Sequence, residues 1–444
     1  MTAASYVEAH LDRYLTELSA FARIPSVSSQ GRAIDEAAAF IADALRQRGA
    51  RVDLLPSSGH PIVAAEIGEG ARTLLCYNHY DVQPAEPLDA WSSPPFEPQQ
   101  RDGALFGRGI IDDKGEIVAR LAALDALLER NGGRLPLKLK FLIEGEEEIG
   151  SPNLEPVLRR ERERFAADAC LWEAGTVDDL DRPLIWLGVR GLVYVTLGVR
   201  TLAHDAHSGW AHALPNAAWR LLRALETLKG TDERIRIAGF YDDVRDPTPA
   251  QEELLRAMPD EDEDYRREYA IESLVAGRGG YELRRAVFEP TCNICGLWSG
   301  STGAGSKTIT PATAFAKIDF RLVPDQDPDD ILTKLRRHLD AHGFDDVEIA
   351  AEKAGRAACT DPSHPFVALA VAAAEFAHAK PAVVSPMVGG TGPAALVADV
   401  LGVPFVSLGC SYPGGRKHAP NENIRLRDFV RGAACIAQLA QSLA

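Results

Sequence analysis

The sequence predicts an α/β protein: a mixed, open sheet flanked by helices and interrupted by an inserted α+β domain. Three observations point there. Helix and strand patterns alternate through the first half of the chain. Imidazole and carboxylate side chains collect just beyond the ends of the predicted strands, where open α/β sheets bind their ligands. The same rhythm resumes near the C-terminus after a long stretch of different character. At 444 residues the chain is too long for one ordinary core. Two domains are therefore expected, one from residues 1–190 with 389–444 and an insert over 191–388.

Taken in order, residues 1–24 read as an amphipathic helix, with Glu8, Asp12 and Glu17 among its apolar positions. No basic flank precedes an unbroken apolar core there, so a secretory signal is not expected. Residues 35–48 form a helix pattern closed by Gly49. Strands are expected at 51–55 and 62–67, and a buried strand over 73–77 runs into Asn78-His79-Tyr80-Asp81. A helix over 115–130 is closed by Asn131-Gly132-Gly133. Strands over 137–143 and 169–172 lead into Glu144-Gly145 and Glu173. The character changes at Val189-Arg190-Gly191. Strands are expected at 192–199 and 314–322, a helix at 216–228, and an acidic, turn-rich section near 241–265. A Gly-rich turn at 389–393 then precedes a helix, a strand over 404–408 and a closing helix from Leu426.

Composition narrows the function classes. Hydrophobic residues make up 46% and charged residues 25%, a globular mix. The net charge of −16 argues against nucleic acid and anionic membranes as partners, and no apolar run reaches the length of a membrane span. The seven cysteines are odd in number and scattered, unlike a disulfide framework. The one C-x-x-C, Cys292 to Cys295, lies in a strand pattern that points the two thiols to opposite faces, with no second pair to complete a zinc knuckle. A cytoplasmic enzyme is the simple reading.

The chemistry-bearing residues are His79 and Asp81, the pair Asp112-Asp113 between glycines, the run Glu144-Gly-Glu-Glu147-Glu148, Glu173, and His418. Each has a plain alternative: a solvated acidic turn, a helix cap, a loop histidine. Packing so many acids beside buried strands is costly unless cations neutralise them. The nitrogen and oxygen donors suit zinc, manganese or cobalt. Asp81 is placed to accept the ring N–H of His79 and fix its tautomer.

These pieces, with His207-Ser208-Gly209, Arg321-Leu-Val-Pro324 and Gly389-Gly390-Thr391, stand in one order along nearly the whole chain. In that order they resemble the dinuclear zinc exopeptidase and deacylase superfamily that contains carnosinase-type dipeptidases, aminoacylase, acetylornithine deacetylase, succinyl-diaminopimelate desuccinylase and glutamate carboxypeptidase. The similarity is greatest to the cytosolic non-specific dipeptidase branch, through segments such as Gly303-Ala-Gly-Ser-Lys307-Thr308. The resemblance implies a zinc-exopeptidase catalytic domain with a lid and dimerisation insert. It implies two divalent cations, zinc first with manganese or cobalt as alternatives. Asp112 would bridge them, His79 and Glu173 would complete one position, and Glu148 and His418 the other. Glu147 would be the general base, with Asp81 supporting His79. His207 would reach the active site of the neighbouring subunit of a homodimer. Arg321 would hold the substrate carboxylate, with Thr308, Thr391 and Gly390 lining the same pocket, and the Asp112–Asp113 peptide would be cis. One departure stands out: Glu173 occupies a position where the dipeptidase branch usually has Asp and the glutamate carboxypeptidase relatives have Glu.

The expected activity is therefore metal-dependent hydrolysis of the amide bond in dipeptides or short peptides. An N-acyl-amino-acid deacylase with the same site is the alternative, and a catalytically inactive binding relative is a third reading that the intact ligand set disfavours.

Overall fold

The computed structural model describes residues 1–173 and 175–444. Two compact units divide the chain: Met1–Gly188 with Cys359–Pro386 and Gly392–Ala444, and Val189–Ala358 with Met387–Thr391.

The first unit is built on a six-stranded sheet. Its order is Arg51–Leu55, Ile62–Ile67, Lys138–Glu144, Thr73–His79, Ala169–Trp172 and Phe405–Ser407. The first three are joined antiparallel, and the next three pairings are parallel. The parallel strands are buried almost end to end, as strands covered on both faces must be. Their register aligns His79 with Glu144, so these strands finish together and deliver their following residues to one edge.

The helix Lys114–Arg130 is buried on every side from Lys114 to Leu127. A helix with no polar face belongs inside a large core, and this one starts directly after Asp112-Asp113. The tight entry needs Gly115: a Cβ there would lie 2.0 Å from the Ile110 carbonyl oxygen. The N-terminal segment expected as one helix is two, Ala3–Ala9 and Leu11–Ala22. Between them His10 leaves helical geometry (φ −114°, ψ 16°) and its ring Nδ1 lies 2.8 Å from the Tyr6 carbonyl oxygen.

The second unit carries an antiparallel sheet ordered Thr291–Ser299, Thr313–Leu322, Gly191–Arg200 and Glu348–Gly355. Helices Ala217–Glu226 and Pro328–Ala341 supply Leu221, Ala224, Leu225, Ile331, Leu335 and Leu339 to the core on one face. Asn216 caps the first of these helices, its side chain accepting the amides of Ala218 and Trp219. The section near 241–265, expected to be turns, contains two helices, Pro249–Ala257 and Asp262–Tyr269. Local chemistry explains the first: Thr248 and Gln251 form a reciprocal capping box with proline at the first helical position. Cys292 is buried and Cys295 exposed on their strand, Cys295 falling where the pairing with Thr313–Leu322 shifts register between Ile294 and Gly296.

Residues 359–386, expected in the insert, group instead with the first unit. The apolar face of helix Pro365–His378 packs on the C-terminal helix Leu426–Leu443, and Val383–Ser385 pairs in parallel with Pro183–Trp186. No helix among the described residues is long and apolar enough to cross a membrane.

Candidate metal centre

Five expected donor side chains converge at the carboxyl ends of the parallel strands. His79, the last residue of its strand, places Nε2 3.3 Å from Asp112 Oδ1 and 3.7 Å from Glu173 Oε2. His418 Nε2 lies 2.9 Å from Asp112 Oδ2 and 3.2 Å from Glu148 Oε2. Asp112 thus stands between the two imidazoles, one oxygen toward each. The peptide joining it to Asp113 is cis, as the resemblance implied.

Possible ligand atoms fall into two groups, each within 4.8 Å: His79, Asp113 and Glu173, and His79, Asp112 and Glu148. Asp113, read from the sequence as one of two adjacent carboxylates that could face cations, was not in the ligand set the resemblance implied. Its Oδ2 accepts from Asn78 Nδ2 at 2.6 Å and from the His79 amide at 3.1 Å, while Oδ1 is buried without a partner. Glu148 Oε1 and Glu173 Oε2 are likewise buried and unpartnered. Three orphaned carboxylate oxygens in one place are a costly arrangement for a protein alone. Bound cations would satisfy them, so the residues present fit a divalent-metal centre.

The electrostatics agree. Burial, with Glu148, Asp112 and Asp81 adding and His79 opposing, pushes the Glu147 carboxyl up to about 7. Burial likewise raises Glu173 well above the usual carboxylate range, against the pull of His79. Asp112 goes the other way: against burial, Lys417 at 3.6 Å and the His418 and His79 rings hold it well below that range.

The supporting contacts are specific. The Asp81 carboxylate accepts the amides of Glu147 and Glu148 at 3.3 and 3.1 Å and lies 3.3 Å from His79 Nδ1. Only oxygens face Nδ1, the Asp81 carbonyl among them at 3.0 Å. A proton kept on Nδ1 by these oxygens would leave the Nε2 lone pair free for a cation held between it, Asp112 and Glu173. Glu146, beside the acid pair, is buried; its carboxylate accepts from Asn153 Nδ2 at 3.0 and 2.9 Å and from the His60 amide at 3.3 Å.

Arg120 escaped the sequence reading, whereas Glu144 belonged to the acidic run read from it. Arg120 is buried and donates to Asn78 Oδ1, the Tyr77 carbonyl and, at 2.7 Å, the Trp172 carbonyl, locking the ends of the two strands that carry His79 and Glu173. Glu144 accepts from Tyr77 Oη at 2.6 Å and Ser151 Oγ at 2.8 Å beneath the Glu147 turn. Arg120 had one available signal: it sits in a helix with no polar face, where a cation needs an internal partner.

The remaining expected residues lie in the second unit. Arg321 Nη1 donates to Thr391 Oγ1 at 2.8 Å, and its Nε lies 3.2 Å from Asp319 Oδ2. Gly390 meets the same unit through its carbonyl, which accepts the Arg190 amide at 2.9 Å. Thr308 is exposed and its carbonyl accepts the Ser208 amide at 3.0 Å. His207 is exposed, with Nδ1 accepting the Gly209 amide at 2.9 Å. His204 and His212 are also exposed.

Comparison with known proteins matches residues 75–442 to the model of peptidase family M20/M25/M40. The chain belongs to that family. A solved M20 family metallo-carboxypeptidase from Sulfolobus solfataricus is 36% identical, with a TM-score of 0.92 over 97% of this chain and 99% of that one. Human Beta-Ala-His dipeptidase is 30% identical over 358 residues, 76% of this chain and 70% of the relative. The Cys-Gly metallodipeptidase of Schizosaccharomyces pombe is 29% identical over 347 residues, 74% and 73%. Within an M20 peptidase, the cluster at the strand ends is the candidate active site, and the helix-rich 241–290 region belongs to its second unit.

Proposed function

We infer that this M20 peptidase hydrolyses the peptide bond of dipeptides and short peptides at the His79–Asp112–His418 cluster. The observation that carries this reading is the position of Asp112 between two imidazoles, with orphaned Glu148 and Glu173 oxygens beside it. His79 and Glu173 would hold one divalent cation, Glu148 and His418 the other, and Asp112 both. Zinc is proposed first, with manganese or cobalt next. Such cations supply an activated water and polarise the scissile carbonyl.

The chain's own residues do the rest. Glu147, whose amide is fixed by Asp81, accepts a proton from the attacking water and returns it to the leaving nitrogen. Arg321 binds the substrate carboxylate with the donors not used by Thr391 and Asp319, and Thr308 and Gly390 line that pocket. His207 accepts an amide at Nδ1, which leaves its ring proton on Nε2 as an outward donor. That donor is proposed to reach the active site of a second copy of the chain. A homodimer is supported by the exposed Ile294, Leu297 and Trp298 on the edge strand of the second unit and the exposed Trp219 and Leu222 on its helix. A cytoplasmic location is supported by seven cysteines that form no disulfide among the described residues.

The deciding experiment compares free dipeptides, the same dipeptides N-acetylated, and N-acetyl amino acids, with zinc- and manganese-loaded protein. Cleavage restricted to free amines identifies a dipeptidase. Cleavage of the capped peptides favours a carboxypeptidase, which Glu173 and the likeness to the Sulfolobus enzyme support. Cleavage of acyl amino acids alone overturns the peptidase reading in favour of a deacylase.

A further inference from the structure

One carboxylate outside the ligand set is tied to both loops of the second metal position. Glu422 is fully buried. Its Oε1 accepts the amides of Ile111 at 2.9 Å and Asp112 at 3.1 Å. Its Oε2 accepts the Gly109 amide at 3.0 Å and Arg108 Nη1 at 2.6 Å. Each oxygen therefore accepts two hydrogen bonds, the full capacity of a carboxylate. Three of the four donors are backbone amides in the turn that ends at Asp112. Glu422 is anchored at its own backbone as well: its carbonyl accepts the Gly107 amide at 3.0 Å, and the following strand Asn423–Arg425 pairs with Ala104–Phe106. Four residues upstream in the same loop is His418.

The loop that carries Asp112 and the loop that carries His418 are thus joined by the Glu422 side chain in addition to the Glu422–Gly107 backbone bond and the adjoining strand pairing. The His79–Glu173 side has a different brace. Arg120 there clamps the ends of the two strands, and Asn78 joins it to Asp113. The two braces share no residue.

We propose that Glu422 is a positioning residue for the cation position formed by Asp112, Glu148 and His418, and that its loss weakens that position more than the one at His79 and Glu173, with which it shares Asp112 alone. The inference rests on the two-metal reading of the site. Its physical basis is geometric: replacing one carboxylate oxygen by an amide NH2 turns two acceptor contacts into donor–donor contacts, so the Asp112 turn is held to the His418 loop by the backbone links alone. Groups that orient ligands from behind in this way change metal affinity by about 10–100-fold.

The test uses the full chain, wild type and Glu422→Gln, stripped with a chelator and titrated with zinc by calorimetry, with metal content measured after dialysis. Wild type is expected to take up two equivalents. In Glu422→Gln the second equivalent should bind about 10–100-fold more weakly and the first should lose clearly less. Two undiminished equivalents in the variant, or parallel weakening of both, overturns the proposal. Fewer than two equivalents in wild type is a different result: it removes the two-metal reading, and the proposal with it. Should Glu422→Gln fail to fold, hydrogen exchange of wild type decides. Amides 109–112 should gain protection with the second equivalent of zinc and not with the first; any other order of protection, or none, overturns the proposal.

Discussion

Asp81 and His79 share one strand end, with Asp81 Oδ1 3.3 Å from His79 Nδ1, and the same carboxylate takes the amides of Glu147 and Glu148. One buried acid therefore contacts both the ring of His79, the proposed metal ligand, and the backbone of the proposed general base. Asp81→Asn keeps the shape but puts an NH2 where an amide donates or where Nδ1 needs an acceptor. It should lower kcat/KM by about 10–100-fold with the fold intact. Wild-type turnover in that variant would show that the contact is incidental.

Glu147→Gln separates the base from the ligands. Its metal content should equal that of wild type while kcat falls about 10²–10⁴-fold. Loss of metal in step with activity would instead place Glu147 among the ligands.

Arg321 is held from two sides, by Thr391 and by Asp319, with donors to spare. Arg321→Met should raise KM for dipeptides with a free carboxylate by about 10–100-fold, the loss of a charge-assisted pair. The same peptides as C-terminal amides should respond little, and equal losses on both substrates would sink the assignment.

Gly115 meets the Ile110 carbonyl too closely to carry a side chain. Gly115→Ala forces backbone to move at the entry to the central helix, and should destabilise by at least about 1–3 kcal/mol. A urea midpoint unchanged from wild type would contradict the packing described.

His378 is buried near Arg431. Burial, helped by Arg431 and opposed by Asp181, lowers its imidazole from 6.5 to about 4. The unfolded chain takes up this proton near pH 6.5 and the folded chain only near 4. Stability from this group is thus fully present above 6.5 and is lost as pH falls toward 4, by at most about 3 kcal/mol. Urea unfolding of wild type and His378→Gln from pH 7 to 4.5 isolates the effect, since the carboxylates are common to both. A difference between the two that stays constant with pH would rule it out.

Much of the site could be read in advance because its chemistry is written in local patterns. Strands over 51–55, 62–67 and 169–172 carry their own periodicity, and His79, Asp112, Glu147, Glu148 and Glu173 stand directly beyond strands or before a helix. Segments governed by turn chemistry or by distant packing were read less well. A single helix over residues 1–24 was expected and His10 breaks it. The capping box at Thr248 nucleates a helix in what looked like an acidic turn region.

The sequence by itself determined the α/β alternation, the strands near 192–199 and 314–322 with the helix near 216–228 of the second unit, and the candidate donors at the strand ends, since each depends on neighbours close in the chain. Tertiary structure alone decided where 359–386 belongs, because helix Pro365–His378 is apolar over most of its surface and only its packing partner chooses its unit. It alone revealed Glu422 and Arg120. Glu422 acts on amides more than 300 residues away, and Arg120 on strand ends up to 52 residues away. No periodicity or motif spans such distances: a buried charge is recognised by the partners that surround it, and those partners exist only once the chain has folded.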